Sequence, residues 1–200
     1  MRIGIMGGTF DPIHIGHLIL GETAWQQFFL DRVLYMPAGN PPHKRNRAGR
    51  AGDEERVEMV RLAIADNPHF ELSLMEMNAD GYSYTYRTLA RLKREHPEYE
   101  LYFILGEDSL RDFCTWKEPQ RICDQCTLLA GTRSDTDSEG LLSRIREIRD
   151  VYHASVERLD NDNLDIASHE LRKWVSEGRS IRYYVPDAVA KYISDKKLYI

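Results

Sequence analysis

The most informative part of the sequence is Ile3-Gly4-Ile5-Met6-Gly7-Gly8-Thr9-Phe10-Asp11-Pro12-Ile13-His14-Ile15-Gly16-His17. Its apolar start predicts a strand over residues 3–6, and residues 15–29 predict a helix, with two adjacent glycines in the turn between them. Such a turn follows the carboxyl end of a strand, where α/β proteins bind their ligands. Adjacent glycines let backbone N–H groups approach a bulky anion, because no Cβ stands in the way. The helix that follows points its N-terminus at the same place.

His14 and His17 add two side chains to this turn. They lie three residues apart at the start of the predicted helix, so they should share a face and could both donate to phosphate oxygens. Each part also has an ordinary explanation, since a Gly-Gly pair is usually a tight turn and paired histidines are usually surface residues. A metal pair would need a third ligand, and none is obvious. The joint occurrence of these parts favours a phosphate-binding cradle.

Short apolar runs alternate with amphipathic stretches along the chain. The fully apolar run Leu101–Leu105 is typical of a central strand in a parallel sheet. The alternation predicts one α/β domain over residues 1–200, with a doubly wound, mostly parallel sheet and C-terminal helices. The predicted strands span residues 3–6, 33–36, 70–77, 101–105, 128–130 and 156–159, and the predicted helices span residues 15–29, 53–66, 83–96, 138–149, 168–177 and 186–195.

The composition is that of an ordinary globular protein. Of 200 residues, 42% are hydrophobic and 30% are charged, and the formal net charge is −5. A protein of this charge is not expected to bind nucleic acid or an anionic membrane through its overall field. No apolar run reaches the length of roughly 18–20 residues that a membrane-spanning helix needs, and residues 1–8 do not resemble a signal peptide. We therefore expect a soluble, cytoplasmic protein.

Three cysteines exclude a complete disulfide framework. Cys123 and Cys126 form a C-x-x-C, a spacing that occurs in zinc sites and redox pairs. No second ligand pair is evident nearby, and the two cysteines follow a helix-like stretch instead of opening a helix after a strand. We expect ordinary buried or half-buried thiols and no protein-held metal.

The segment Gly7 to His17 resembles the signature of the nucleotidylyltransferase superfamily, specifically its nicotinate mononucleotide adenylyltransferase branch. Its last four residues form the H-x-G-H motif of that superfamily, and the resemblance extends over the whole chain. It implies a Rossmann-like nucleotidylyltransferase fold. It also implies that the backbone of Gly7, Gly8 and Thr9, together with both histidines, binds the phosphates of ATP.

Four more segments and one tryptophan carry the resemblance. Pro41-Pro42-His43-Lys44 resembles a family loop whose basic side chains reach phosphates, and Ser83-Tyr84-Thr85 resembles the family's S-Y-T, which helps to hold the nicotinate carboxylate. Gly106-Glu107-Asp108 resembles the family's G-x-D near the substrate ribose. Trp116 stands where the family stacks an aromatic ring on the pyridine, although a tryptophan is more often a core residue. The resemblance thus assigns the mononucleotide to Lys44, Thr85, Asp108 and Trp116.

The fourth segment, residues 166–172, resembles the family's I-S-S-T-x-I-R. It implies that Ser168 and Arg172, one helical turn apart, hold ATP phosphates. Ala167 and His169 depart from the family pattern, and the departure puts one hydroxyl contact in doubt. Of all the residues that the resemblance assigns to substrates, it assigns His14, His17 and Arg172 to catalysis as well.

The reaction implied by the resemblance is ATP plus nicotinate mononucleotide giving deamido-NAD and pyrophosphate, with Mg²⁺ carried mainly by the ATP phosphates. ATP and the mononucleotide would be the partners, with no nucleic acid and no membrane. Two alternatives stay open: another acceptor, such as nicotinamide mononucleotide or phosphopantetheine, and a non-catalytic nucleotide sensor with the same fold. The sequence lacks the motifs of P-loop kinases and of Rossmann dehydrogenases.

Overall fold

The computed structural model describes residues 1–39, 49–77, 83–132, 138–162 and 164–200. Within these ranges no helix is both long and apolar enough to cross a membrane.

Strands in the described residues form a single sheet. They are β1 (Arg2–Gly8), β2 (Arg32–Pro37), β3 (Phe70–Leu72), β4 (Glu100–Leu105), β5 (Thr127–Ala130) and β6 (Val156–Arg158). Their order across the sheet is β3-β2-β1-β4-β5-β6, and the pairings of β1 with β4, β4 with β5 and β5 with β6 are parallel. The direction in which successive strands are added therefore reverses at β1, as in a doubly wound sheet. This confirms the predicted fold class.

Helices connect the strands, and two more follow the last strand. They are α1 (Ile15–Gln27), α2 (Asp53–Ile64), α3 (Thr85–Glu95), α4 (Glu107–Asp112), α5 (Pro119–Cys123), α6 (Ser138–Tyr152), α7 (Ser168–Ser176) and α8 (Asp187–Asp195), with a 3₁₀ turn at Phe113–Thr115. Six of them were predicted within a few residues of their observed ends. Helix α4 was not predicted and α5 had no predicted boundaries, because five or six residues are too few for a helical period to be visible.

The third strand is shorter than predicted. Residues 70–77 alternate apolar and polar side chains, yet only Phe70–Leu72 form the strand. The N–H of Met77 bonds instead to the carbonyl oxygen of Leu74, at 3.0 Å. That bond closes a turn and ends the extended conformation, so the predicted strand over residues 73–77 is wrong.

The chain divides into two compact units. The first comprises Met1–Met6, Ile19–Leu34 and Tyr84–Asp165. In its core, the wholly buried run Leu101–Leu105 lies between two other strands, with Phe103 in register with Ile5 on one side and with Leu128 on the other. The prediction that this run is a central strand is confirmed.

The second unit comprises Gly7–Leu18, Tyr35–Ser83 and Ile166–Ile200. Its buried side chains include Phe10, Tyr35 and Met59, and α2 packs against α8. The H-x-G-H motif and the residues assigned to ATP belong to this second unit.

Candidate active site

The loop over residues 7–14, here called the glycine loop, runs from the end of β1 to the start of α1. A Cβ at Gly8 would lie only 3.0 Å from the ring of Phe10, so a side chain there would displace that ring. Phe10 is itself buried and has a φ of 50°, in the left-handed region. Gly7 and Gly8 close the strand and Thr9 follows it, which places the predicted backbone cradle at a carboxyl end of the sheet.

The two histidines of the motif stack on each other. His14 directly precedes α1 and His17 lies in its first turn, and their ring centroids are 3.7 Å apart. The backbone N–H of His14 donates to Nδ1 of His17 at 3.3 Å. Because Nδ1 accepts this bond, a neutral His17 ring carries its proton on Nε2. The ring of Phe10 packs edge-on against His17, with centroids 5.1 Å apart. The His17 ring is therefore held by His14 on one side and by Phe10 on the other.

Ser168 and Arg172 both reach the glycine loop from α7. The Ser168 hydroxyl donates to the carbonyl oxygen of Pro12 at 2.9 Å, and Nη1 of Arg172 donates to the carbonyl oxygen of Asp11 at 2.6 Å. The two side chains that lie four residues apart on one helix thus bond to consecutive residues of the loop. The structure brings together the residues that the sequence assigned to ATP.

The Ser168 contact bears on how this residue could meet a phosphate. A hydroxyl has one hydrogen to donate, and here it is directed at Pro12. A phosphate contact through this hydroxyl would therefore require that bond to be exchanged. Arg172 has five N–H donors and can hold the loop and an anion at the same time. At the departures from the family pattern, Ala167 is buried and His169 is exposed.

A buried carboxylate lies behind the loop. Asp11 is 2% exposed, and its Oδ2 pairs with Nε of Arg50 at 2.9 Å. Its Oδ1 accepts hydrogen bonds from the Ala51 N–H at 3.1 Å and from the Tyr199 hydroxyl at 2.8 Å. Arg172 also lies near Oδ2, at 3.7 Å. Burial, with the neighbouring Asp11 carboxylate, raises the pKa of Tyr199 above its usual range, so this phenol stays a neutral donor.

A buried guanidinium supports the same loop. Arg56 of α2 is 3% exposed and donates to the carbonyl oxygens of Thr9 at 2.6 Å and Ala38 at 2.8 Å. It also pairs with Asp53 one turn earlier, at 2.6 Å. Arginine suits this position, because its planar fork can serve several acceptors at once.

This network was not predicted from the sequence. Asp11 was noted only as part of the motif, and Arg56 and Tyr199 had no predicted role. One signal was available: a carboxylate stands between the apolar residues Phe10 and Ile13, where a buried charge would need partners. The identity of those partners depends on contacts as far as 188 positions apart, which no local pattern reveals.

Three of the four residues assigned to the mononucleotide, Thr85, Asp108 and Trp116, belong to the first unit. Thr85 is the first residue of α3 and is half-buried, and Asp108 is exposed in the first turn of α4. Trp116 is half-buried and packs against Phe113 and Phe103, with ring centroids 5.6 and 6.1 Å away. It is therefore partly covered by protein and partly accessible. Their binding roles stay predictions, and Lys44 lies outside the described residues.

The C-x-x-C cysteines are free thiols. Cys123 is half-buried and Cys126 is buried, as expected for thiols that act as small apolar side chains. Burial raises the pKa of Cys123 to about 11 and that of Cys126 above its usual range. Neither thiol therefore carries the low pKa of a redox pair.

Comparison of the chain with known proteins identifies its relatives. The sequence profile of the cytidylyltransferase-like family matches residues 5–183. A protein of Lachnoclostridium phytofermentans named "Probable nicotinate-nucleotide adenylyltransferase" is 39% identical over 199 residues, covering 100% of this chain and 99% of its own. A protein of the same name from Synechococcus is 43% identical over 199 residues, covering 100% and 95%.

Solved structures share the fold. The Plasmodium falciparum nicotinic acid mononucleotide adenylyltransferase complexed with NaAD superposes with a TM-score of 0.79 at 21% identity, covering 99% of this chain and 97% of that one. The same enzyme complexed with APC gives a TM-score of 0.76 at 20% identity, covering 99% and 96%. Together with the sequence relatives these matches confirm the resemblance seen in the motifs, and the chain belongs to the nicotinate-nucleotide adenylyltransferase family of cytidylyltransferase-like proteins.

Proposed function

We propose that this chain transfers the adenylyl group of ATP to nicotinate mononucleotide, giving deamido-NAD and pyrophosphate in NAD biosynthesis. The observation that carries the proposal is the glycine loop with its stacked histidines, which Ser168 and Arg172 meet from α7. Full-length identity of about 40% to proteins named for this activity supports the choice of substrates.

The reaction needs no general base. The nucleophile is a phosphate oxygen of the mononucleotide, which is ionised near neutral pH because the second pKa of a phosphate monoester is about 6. It forms a bond to the α-phosphorus of ATP. The bond from that phosphorus to the bridging oxygen breaks, and pyrophosphate leaves with the electron pair. The protein has to align two anions and stabilise the charge that develops on the leaving group.

Residues of the second unit suit the ATP side of this task. His17 presents an Nε2 donor held in place by its bond to His14, and Arg172 supplies a permanent positive charge. We assign the ATP phosphates to the backbone of Gly7, Gly8 and Thr9 and to the side chains of His14, His17, Ser168 and Arg172. We assign the mononucleotide to Lys44, Thr85, Asp108 and Trp116.

We propose Mg²⁺ as the metal ion of the reaction, held mainly by phosphate oxygens of ATP. The donor set around the glycine loop fits this role better than a protein cage, because it consists of imidazoles, guanidinium groups and a hydroxyl, and the Asp11 carboxylate already pairs with Arg50. In the described part of the chain no group of three or more His, Cys, Asp or Glu residues could hold an ion. A bound Mg²⁺ would neutralise part of the triphosphate charge.

Two broader expectations are also proposals. We expect residues 1–200 to act as one nucleotidylyltransferase domain, and we expect the protein to work in the cytoplasm, where ATP and the mononucleotide are available.

Pyrophosphate release tests the proposal. Purified protein is mixed with ATP and Mg²⁺, and nicotinate mononucleotide, nicotinamide mononucleotide and phosphopantetheine are added in separate reactions, with a reaction lacking acceptor as control. Release that depends on nicotinate mononucleotide is expected, with deamido-NAD as the product. Release only with another acceptor would replace the substrate, and binding of ATP without any release would favour the nucleotide sensor.

A further inference from the structure

The Asp11 carboxylate is shared by two guanidinium groups and a phenol, all within the second unit. We propose that Asp11 and Tyr199 are positioning residues that set the orientation of Arg172 towards the triphosphate. The inference rests on the proposed function, because it assumes that Arg172 contacts ATP. It gives a role to two residues that are not themselves expected to touch substrate.

One nitrogen of Arg172 makes two contacts with Asp11, a hydrogen bond to its backbone and a longer ion pair with its side chain. Its Nη1 lies 2.6 Å from the Asp11 carbonyl oxygen and 3.7 Å from Oδ2 of the same residue. The guanidinium is therefore bonded to the backbone of Asp11 and attracted by its carboxylate. A rotation of this carboxylate would change the attraction on Nη1, and with it the preferred orientation of the remaining N–H donors of Arg172.

Tyr199 fixes the rotation of the carboxylate. Its hydroxyl donates to Oδ1 of Asp11 at 2.8 Å, and the Ala51 N–H donates to the same oxygen. With Oδ1 held by two neutral donors, Oδ2 is directed towards Arg50 and Arg172. Tyr199 is 8% exposed, so water has little access to replace its hydroxyl.

The charges of the group also suit a triphosphate. One carboxylate faces two guanidinium groups, so Asp11, Arg50 and Arg172 together carry a charge of +1. Arg50 and Arg172 are 16% and 21% exposed at their side chains, whereas Asp11 is almost fully covered. The positive groups are thus the accessible part of the network, and the negative group behind them holds their geometry.

The substitution Tyr199→Phe tests the inference, because it removes one donor and leaves every charge in place. We expect kcat/KM for ATP to fall about five- to tenfold, which corresponds to about 1–1.4 kcal/mol, the net size of one ordinary hydrogen bond. The KM for nicotinate mononucleotide should stay within about twofold of wild type. Tyr183→Phe is the matched control, since the Tyr183 side chain is 82% exposed, and it should change neither value.

A double-mutant cycle with Arg172→Ala separates positioning from general stability. If Tyr199 acts through Arg172, Tyr199→Phe should cause no further loss when Arg172 is already alanine. Asp11→Asn should behave in the same way with a larger single effect. Equal losses in both backgrounds, or an unchanged kcat/KM for ATP in Tyr199→Phe, would overturn the inference.

Calorimetric titration with a non-hydrolysable ATP analogue keeps the inference separate from the proposed function. Tyr199→Phe should weaken analogue binding about fivefold in the wild-type background and leave it unchanged in the Arg172→Ala background. This coupling should be found even if the protein proves not to transfer an adenylyl group to nicotinate mononucleotide. Its absence would overturn the inference even if that transfer is observed.

Discussion

Replacement of His17 by alanine removes an N–H donor whose orientation is already set in the free protein. Nδ1 of His17 accepts the His14 backbone N–H, so the neutral ring carries its proton on Nε2. The ring is further held by the stacked His14 ring at 3.7 Å and by the edge-on Phe10 ring at 5.1 Å. Loss of one preorganised donor of this kind costs about 2.7–4 kcal/mol in the transition state, or roughly 10²–10³-fold in kcat.

The same substitution should leave the protein folded. His17 is half-buried, and the ring contacts that alanine removes amount to about 0.5–1.5 kcal/mol each. A typical domain is stable by about 5–15 kcal/mol, so this loss lowers the melting temperature by several degrees without unfolding the protein. A fall in activity can therefore be read as a lost interaction with substrate.

The assay is pyrophosphate release at saturating ATP and mononucleotide, with circular dichroism and a thermal melt for each variant. His17→Gln places an amide N–H near the position of Nε2 and should keep more activity than His17→Ala, whereas His17→Asn replaces only the Nδ1 side and should not. His96→Ala is the control, because it removes an imidazole that stacks on Tyr99 at 4.4 Å in the other unit. If His17→Ala retained more than about a third of the wild-type kcat, His17 would have no place in the mechanism.

Four further results are expected. Trp116→Ala should weaken mononucleotide binding by about 0.5–2 kcal/mol and abolish ligand-induced fluorescence quenching; lower stability with unchanged affinity would make Trp116 a core residue only. Wild type should prefer the acid mononucleotide over the amide by roughly 30- to 1,000-fold in kcat/KM, and equal kcat/KM for the two would overturn the substrate assignment. Thr85→Val should reduce that ratio through loss of activity on the acid. Arg56→Met should destabilise the fold by about 3–5 kcal/mol in urea unfolding, because it strips donors from buried carbonyls, while the exposed Arg61→Met should cost under about 1 kcal/mol. The pKa of the Cys123 thiol is near 11 against the usual 9.0, so this thiol should alkylate at pH 8 about 100-fold more slowly than in denaturant. Its alkylation rate should rise about tenfold per pH unit up to that pKa. Equal alkylation rates in the folded and the denatured protein, measured by peptide mass mapping, would refute the burial argument.

Local patterns were enough to predict the elements with a clear period. The continuous apolar run Leu101–Leu105 is found as the buried central strand β4, and the turn after the first strand is found as the glycine loop. These features are decided by neighbouring residues, so their sequence already contains the necessary information. The fold class follows from their alternation along the chain.

The end of β3 and the network behind the loop could not be predicted from local sequence patterns. Residues 73–77 keep an alternating pattern, but the bond between Met77 and Leu74 turns the chain, and no periodicity distinguishes the two outcomes. Asp11 meets Tyr199 across 188 positions. A composition of 30% charged residues offers many possible pairs for one buried carboxylate, so the fold is needed to choose among them.

The hydrogen bonds of the glycine loop explain why those distant partners are needed. A backbone that turns N–H groups towards an anion directs its carbonyl oxygens the other way, where buried acceptors need donors of their own. The donors are the Ala38 N–H to Gly8, Arg56 to Thr9, Arg172 to Asp11 and Ser168 to Pro12. They come from the end of β2, from α2 and from α7, three parts of the chain far apart in sequence. The conformation that we propose for phosphate binding is therefore a property of the folded second unit, and an isolated peptide with the same H-x-G-H segment would lack it.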